Sequence, residues 1–254
     1  MIWNWRLDVI KKPKQIKSIL YTLFSITVLI ILIRLGFWQL DRLEWRRSFN
    51  NHYLEQIALP ILNLNDNPDS DILLASEYRK AIVSGKFDFN QQVFLQNQVY
   101  QNIPGYHVLT TFIIENLNKA ILVDRGWISL DDINQMEKID QLSASIHQIQ
   151  GVLRLGEEKN SFGSTFAHSE NDPNFLLLVD IERLDERISY DLLPVYIQVE
   201  NKIIDGLPYP QIVEEEITEG PHLGYAIQWF FFAGVVGVGY PFFIKKLIRE
   251  KNNS

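Results

Sequence analysis

His222 is the side chain best placed to do chemistry. Gly220-Pro221-His222 leads into the apolar run Leu223 to Ile244. Pro221 suits the first turn of a helix, so the imidazole stands at the helix mouth, where lipid meets water. Neutral imidazole is a usual axial ligand for haem iron, and a haem needs only one or two such groups from the protein. A satisfied polar residue at the interface is the plainer alternative, and both readings stand at this point. A second set follows the other apolar run: Arg34, Trp38, Asp41, Arg42 and Trp45 fall at offsets of 4, 7, 8 and 11, on one helical face. Arginine over tryptophan is a cation–π pair, and paired arginines suit carboxylates. The competing reading is an interfacial anchor of Trp and snorkelling Arg.

Beyond His222, one face carries Ala226, Trp229, Ala233, Gly237 and Tyr240. Small residues there admit a closely packed helix, or a flat ring against the backbone. The remaining histidines, His52, His107, His147 and His168, lack zinc-site spacing and read as surface or sheet decoration. Ser161, Ser164 and His168 have no G-x-S-x-G elbow around them and read as a polar loop. With no recognisable nucleophile–base or metal set, an enzyme is not expected. A sensor is disfavoured by the short stretches outside the two apolar runs.

Two membrane helices must position these groups. The first apolar run, Ile19 to Ile33, extends through Leu35, Gly36, Phe37, Trp38 and Leu40. No small-x-small cleavage site follows it, so an uncleaved helix is expected rather than a signal peptide. The second run is about 22 residues, enough for a hydrocarbon core of about 30 Å at about 1.5 Å per residue. Basic flanks, Lys11, Lys12, Lys14 and Lys17 before the first and Lys245, Lys246, Arg249 and Lys251 after the second, put both ends on the cytoplasmic side. The expected organisation is a cytoplasmic N-terminus (1–17), a transmembrane helix (18–40), an extracytoplasmic β-rich domain (41–219), a second transmembrane helix (220–244) and a cytoplasmic tail (245–254).

Charge is segregated in the same way. Residues 1–17 and 245–254 contribute +4 and +3 to a formal net charge of −7, so residues 18–244 hold −14. A region that acidic is a poor nucleic-acid binder, since phosphate contacts need clustered Lys and Arg. The absence of cysteine excludes a disulfide framework and thiolate chemistry.

Between the helices, β-branched and aromatic runs predict strands over Tyr78 to Ser84, Val93 to Val99, His107 to Ile114, Ala120 to Val123, Ile149 to Leu155 and Val195 to Val199. Gly85, Asn102 to Gly105 and Asn116 to Asn118 are turn material. Leu130 to Leu142 and Ile181 to Arg187 predict short helices, and Asn63 to Ser70 and Gly156 to Asn174 predict loops. Leu122 to Ile128 reads as a strand end closed by a glycine turn, with Arg125 pairing Asp124 or another acid. The fold class is an α+β membrane protein, with two transmembrane helices flanking a mainly antiparallel β domain.

Four stretches together resemble the Surf1 (Shy1) family of cytochrome c oxidase assembly factors. They are Leu35-Gly36-Phe37-Trp38-Gln39-Leu40-Asp41-Arg42, Tyr78-Arg79 with Gly85-Lys86-Phe87-Asp88, Val123-Asp124-Arg125-Gly126-Trp127, and His222-Leu223-Gly224-Tyr225-Ala226-Ile227-Gln228-Trp229-Phe230. The resemblance implies a non-enzymatic factor helping the haem a centre of oxidase subunit I to form, with His222 as the haem-binding residue. Oxidase subunit I, haem a synthase and membrane lipid are the implied partners, and a bacterial inner membrane is expected in preference to a mitochondrial one. By helical phase, Trp38, Arg34 and Arg42 would flank the macrocycle or its propionates. A membrane scaffold that stabilises an oxidase subunit without haem is the alternative. Departures from the family pattern are Asp124 for Asn, Ser129 for Pro, Gly220 for Asn, and an apolar run where a Trp is expected near 174–180.

Overall fold

The computed structural model describes residues 13–143, 147–157, 174–200, 207–211 and 216–252. Ser161, Ser164, His168 and nearly all of the loop expected over 156–174 lie outside them. In chain order the elements are helix α1 (Pro13–Ala58), strand β1 (Leu62–Asn63), a 3-10 turn (Leu64–Asp66), α2 (Ser70–Leu74), β2 (Lys80–Tyr100), β3 (Ile103–Ile114) and β4 (Lys119–Ser129). A second 3-10 turn (Asp132–Gln135) runs into α3 (Met136–Ser143), followed by β5 (Gln148–Leu155), β6 (Phe175–Leu176), α4 (Ile181–Asp185), β7 (Asp191–Val199) and α5 (His222–Asn252). The chain forms two compact units, one of residues 1–51 with 217–254 and one of residues 52–216.

In the first unit α1 and α5 run antiparallel. Both are long and apolar enough to cross a membrane, over Lys17–Ala58 and His222–Lys246. At about 1.5 Å per residue α1 is about 69 Å long, roughly twice a hydrocarbon core, so its charged half beyond Leu40 cannot lie in lipid with the rest. The helix ends at Ala58 because Pro60 restricts the residue before it and offers no amide hydrogen. On α1, Gly36, Gln39, Leu43, Arg46 and Asn50 alternate by three and four residues, a seam of coiled-coil spacing. Opposite them, Ala226 and Ala233 of α5 are buried. The small residues of that face therefore serve close helix packing. A Cβ at Gly36 would stand 2.6 Å from the ring of Phe230, and Phe37 meets the same ring edge-on at 5.4 Å.

The second unit is a mixed sheet that closes on itself. β2, β3, β4, β7 and β5 are successive neighbours, and β5 returns to pair with β2. Pairing is antiparallel throughout this ring except between β4 and β7, and the short β1 and β6 add parallel to β2. Closure uses one long strand: Lys80 to Ser84 pair with β5, and Gly85 to Tyr100 pair with β3. The two strands expected over 78–84 and 93–99 are thus one. Gly85 is no turn; it lies where β2 changes partner, and a Cβ there would meet the carbonyl oxygen of Ile113 at 2.0 Å.

Alternate residues fill the interior of the ring, including Ala81, Val83, Phe112, Ile114, Ile121, Val123, Leu153, Val195 and Ile197. The outer face of β3 and β4 is covered too. Leu109, Ala120 and Leu122 pack beneath β6 and α4 through Leu176, Ile181 and Leu184, and a separate cluster joins Val108 and Ile128 to Met136 and Ile139 of α3. Burial on both faces explains the unbroken apolar run Ala120 to Val123.

Candidate functional site

His222 opens α5. Tyr225 N donates to Pro221 O at 3.1 Å, so the helical ladder starts at the proline. Gly220, at φ +66, turns the chain into the helix, a conformation that Gly and Asn accept more readily than other residues. His222 is half-buried, and its Nδ1 lies 2.9 Å from Oε1 of Gln39, in the seam of α1. An amide oxygen only accepts, so Nδ1 carries the hydrogen and Nε2 keeps its lone pair. That is the tautomer a metal requires, with the orienting second hydrogen bond that metal-bound histidines usually have. The donor set therefore fits one axial position on a haem iron. Among the described residues no three His, Cys, Asp or Glu side chains gather as they would around an ion held by protein alone.

The turn before α5 is held to α1 by further bonds. Arg46 Nε and Asn50 Nδ2 donate to Thr218 O at 3.0 and 3.2 Å, and Arg47 makes a two-pronged contact with Glu219 at 2.9 and 3.0 Å. Deeper along the pair, Thr22 and Tyr240 share a hydroxyl–hydroxyl hydrogen bond. These contacts fix the height of His222 against Gln39.

Arg34, Trp38 and Arg42 are exposed, off the seam that holds Gln39. At about 100° per residue, Arg34 faces away from that seam, and Trp38 and Arg42 lie about 100° and about 60° from Gln39, both on the same side of it. Arg42 stacks over the Trp45 ring with its guanidinium carbon 4.0 Å from the centroid, and Trp45 stacks on Phe49 at 6.1 Å. None of the three is paired with His222; the neighbour of Trp38, Gln39, is. The three-and-four alternation of Gly36, Gln39, Leu43, Arg46 and Asn50 was the signal in the sequence for that contact.

The second unit holds two buried polar clusters that sequence patterns did not announce. His107, expected as surface or sheet decoration, is buried in β3. Its Nδ1 lies 2.7 Å from Asp124 Oδ2 and its Nε2 3.2 Å from Gln211 Oε1. Gln211 Nε2 donates to Val99 O at 3.3 Å, which fixes its amide oxygen toward the histidine. Both ring nitrogens thus face acceptors, the arrangement of an imidazolium. Burial pulls the His107 pKa down, but the Asp124 carboxylate and the hydrogen bonds to Asp124 and Gln211 outweigh it and leave it raised. Gln198 Nε2 adds bonds to Asp124 Oδ2 and Gln211 O at 3.4 and 3.0 Å. Asp124 is therefore matched by the imidazole of His107 in the neighbouring strand.

One residue on, Arg125 is wholly buried and pairs with Asp140 of α3 at 2.6 Å, not with Asp124. Gln92 Oε1 and Thr110 Oγ1 accept from the same nitrogen at 3.1 and 3.4 Å, and Phe87 and Phe89 lie beside the guanidinium at 5.4 and 5.3 Å. Nor does the strand end at Gly126. This residue, at φ +116, sits at a bulge where the β3–β4 register shifts, and β4 continues to Ser129. The bulge turns Trp127 inward against Tyr100 and Tyr209, while Trp127 and Tyr209 exchange backbone hydrogen bonds of 2.7 and 2.8 Å.

Comparison with known proteins adds to this geometry. The profile of the SURF1 family matches residues 26–234, which takes in most of α1, the closed sheet and the first part of α5. The chain belongs to the SURF1 family. A SURF1-like protein of Rickettsia felis is 29% identical over 86% of this chain and 94% of its own length. One from Rickettsia prowazekii is 30% identical over 82% of this chain and 83% of its own. The cytochrome oxidase assembly protein SHY1 of Saccharomyces cerevisiae is 29% identical over 80% of this chain and 51% of its own length. Within this SURF1 chain, His222, Gln39, Arg125 and Trp127 all fall inside the matched range.

Proposed function

We propose that this protein is a bacterial inner-membrane assembly factor for cytochrome oxidase. In this reading it is not an enzyme, and His222 transiently ligates the iron of haem a while the centre of subunit I is formed. Membership of the SURF1 family, and the yeast relative's name as a cytochrome oxidase assembly protein, support the assembly role. The Gln39–His222 hydrogen bond carries the haem assignment, because it leaves Nε2 as a free donor at the mouth of a membrane helix. Haem iron supplies an open axial position to such a nitrogen. A single imidazole is a weak enough hold for a cargo that must be passed on. The expected topology is both termini in the cytoplasm and residues 41–219 in the periplasm, with oxidase subunit I and haem a synthase as partners.

Trp38, Arg42 and Arg34 are proposed to flank the macrocycle and its propionates, all three being exposed. Arg34, whose phase is opposite Gln39, is expected to matter least. The test is the absorption spectrum of the full chain purified from a host with and without haem a synthesis. His222→Ala should abolish the haem a band. Gln39→Leu should weaken haem retention about tenfold, in the range seen when an orienting partner of a ligand is removed. Full haem absorbance in His222→Ala would defeat the assignment. Equal trace amounts of haem a and haem b with the unaltered chain would favour a scaffold that stabilises the subunit by contact alone.

A further inference from the structure

The hairpin of β2 and β3 is unlike the rest of its domain. From Phe89 to Ile114 there is no Asp, Glu, Lys or Arg, in a chain of which 22% is charged. Its tip is also apolar where it meets solvent: Val99 and Ile103 are 55% and 51% exposed. Tyr100 and Tyr106 flank them, both half-buried. Tyr100↔Ile103 is the last pair of the ladder, and Gln101 and Asn102 make the turn at φ 50 and 64. The turn matches the twist of the strands and leaves a compact end with its backbone paired. Leu130, 46% exposed, follows Ser129, whose partner across the sheet is Gly105. Two exposed apolar side chains, Val99 and Ile103, thus stand at the hairpin tip with no Asp, Glu, Lys or Arg in the hairpin strands beside them, and Leu130 lies nearby just before the acidic pair Asp131-Asp132.

We propose that this tip dips into the lipid–water interface of the membrane that the two helices cross, with Val99 and Ile103 among the acyl chains and Tyr100 at headgroup depth. Three observations favour lipid as the occupant. Charged groups are what an interface with hydrocarbon excludes; between Phe89 and Ile114 there is no Asp, Glu, Lys or Arg, and the one histidine, His107, is buried away from the tip's surface. Tyrosine flanking aliphatic residues is the composition of membrane interfaces. The tip is also tied to the chain that enters the membrane. Gln211 Nε2 bonds Val99 O at 3.3 Å, and Gln211 is eleven residues before His222. Eleven residues reach at most about 40 Å when fully extended. The inference rests on the two spans and is independent of haem binding.

The chain has no cysteine, so single labels can be placed at will. Ile103→Cys and, as a control, Ile72→Cys on α2, itself 47% exposed, would each carry an environment-sensitive fluorophore. The full chain is reconstituted in phosphatidylcholine–phosphatidylglycerol vesicles. At 103 the expected result is a blue-shifted emission, at least twofold quenching by headgroup- or shallow-acyl-linked nitroxide lipids, and loss of iodide quenching. The label at 72 should respond to iodide alone. Equal iodide access at both sites would overturn the proposal. So would a label at 103 shielded from iodide and from nitroxide lipids alike, the signature of a protein contact. Adding Val99→Asp to the labelled chain should return position 103 to iodide while leaving the haem spectrum unchanged.

Discussion

Removing the carboxylate of Asp140 is the most informative single perturbation of the closed sheet. The Arg125 side chain is 0% exposed and that of Asp140 15%, with 2.6 Å between Nη1 and Oδ1. Burial lowers the Arg125 pKa and raises that of Asp140, in each case against the pull of the partner. Both directions have one meaning: taking these charges out of water costs more than their attraction returns. Asp140→Ala would take the carboxylate away from a buried guanidinium that still meets the neutral oxygens of Gln92 and Thr110, at a cost of about 3–5 kcal/mol. For a domain of this size that is about 6–20 °C in Tm. The double change Arg125→Met with Asp140→Leu removes both charges and fills the space. It should recover most of the loss, since apolar replacement of a buried pair is often neutral or stabilising. The assay is a thermal melt of the full chain in detergent by near-UV circular dichroism, which reports the packed Tyr100, Trp127 and Tyr209 rings. A double variant as unstable as the sum of its two single changes, or an Asp140→Ala chain within about 2 °C of the parent, would refute the reasoning.

The His107–Asp124 pair makes domain stability depend on pH. Because the folded His107 pKa is raised, its contribution is complete below the ordinary imidazole value of about 6.5 and is lost as pH rises through the folded value. Urea midpoints should therefore fall from about pH 6.5 upward, and His107→Gln should flatten that slope. Gly126→Ala would place a Cβ 2.3 Å from Tyr209 O at a φ of +116. It should cost at least about 1–3 kcal/mol and release the 207–211 strip from β4, seen as faster hydrogen exchange at the Tyr209 amide.

Which parts of the molecule were legible in the sequence follows from how local their causes are. The two lipid-length helices were legible because a run of apolar side chains needs no partner to declare itself. The face of His222, Ala226 and Ala233 followed from helical period alone, and the strands from β-branched runs between turns. The helices expected over 130–142 and 181–187 appear as a 3-10 turn running into α3, and as α4. Gly85 and Gly126 misled because a glycine required by a close backbone or a bulge has the same letter as one required by a turn. Asn63 to Ser70 carries no period, yet contributes the end of β1 and a 3-10 turn, whose Leu64 is buried in the ring's core.

Composition and period by themselves determined the two membrane-length helices, the acidic β-rich middle and the histidine at the mouth of the second helix. Tertiary structure alone decided the closure of β5 onto β2, the partners of the buried charges and the choice of Gln39 over Trp38 beside His222. The physical reason is range. A helix or strand is a repeat that each residue shares with near neighbours, whereas His107 finds Gln211, and Gln39 finds His222, only once distant segments pack and their polar atoms must be satisfied away from water.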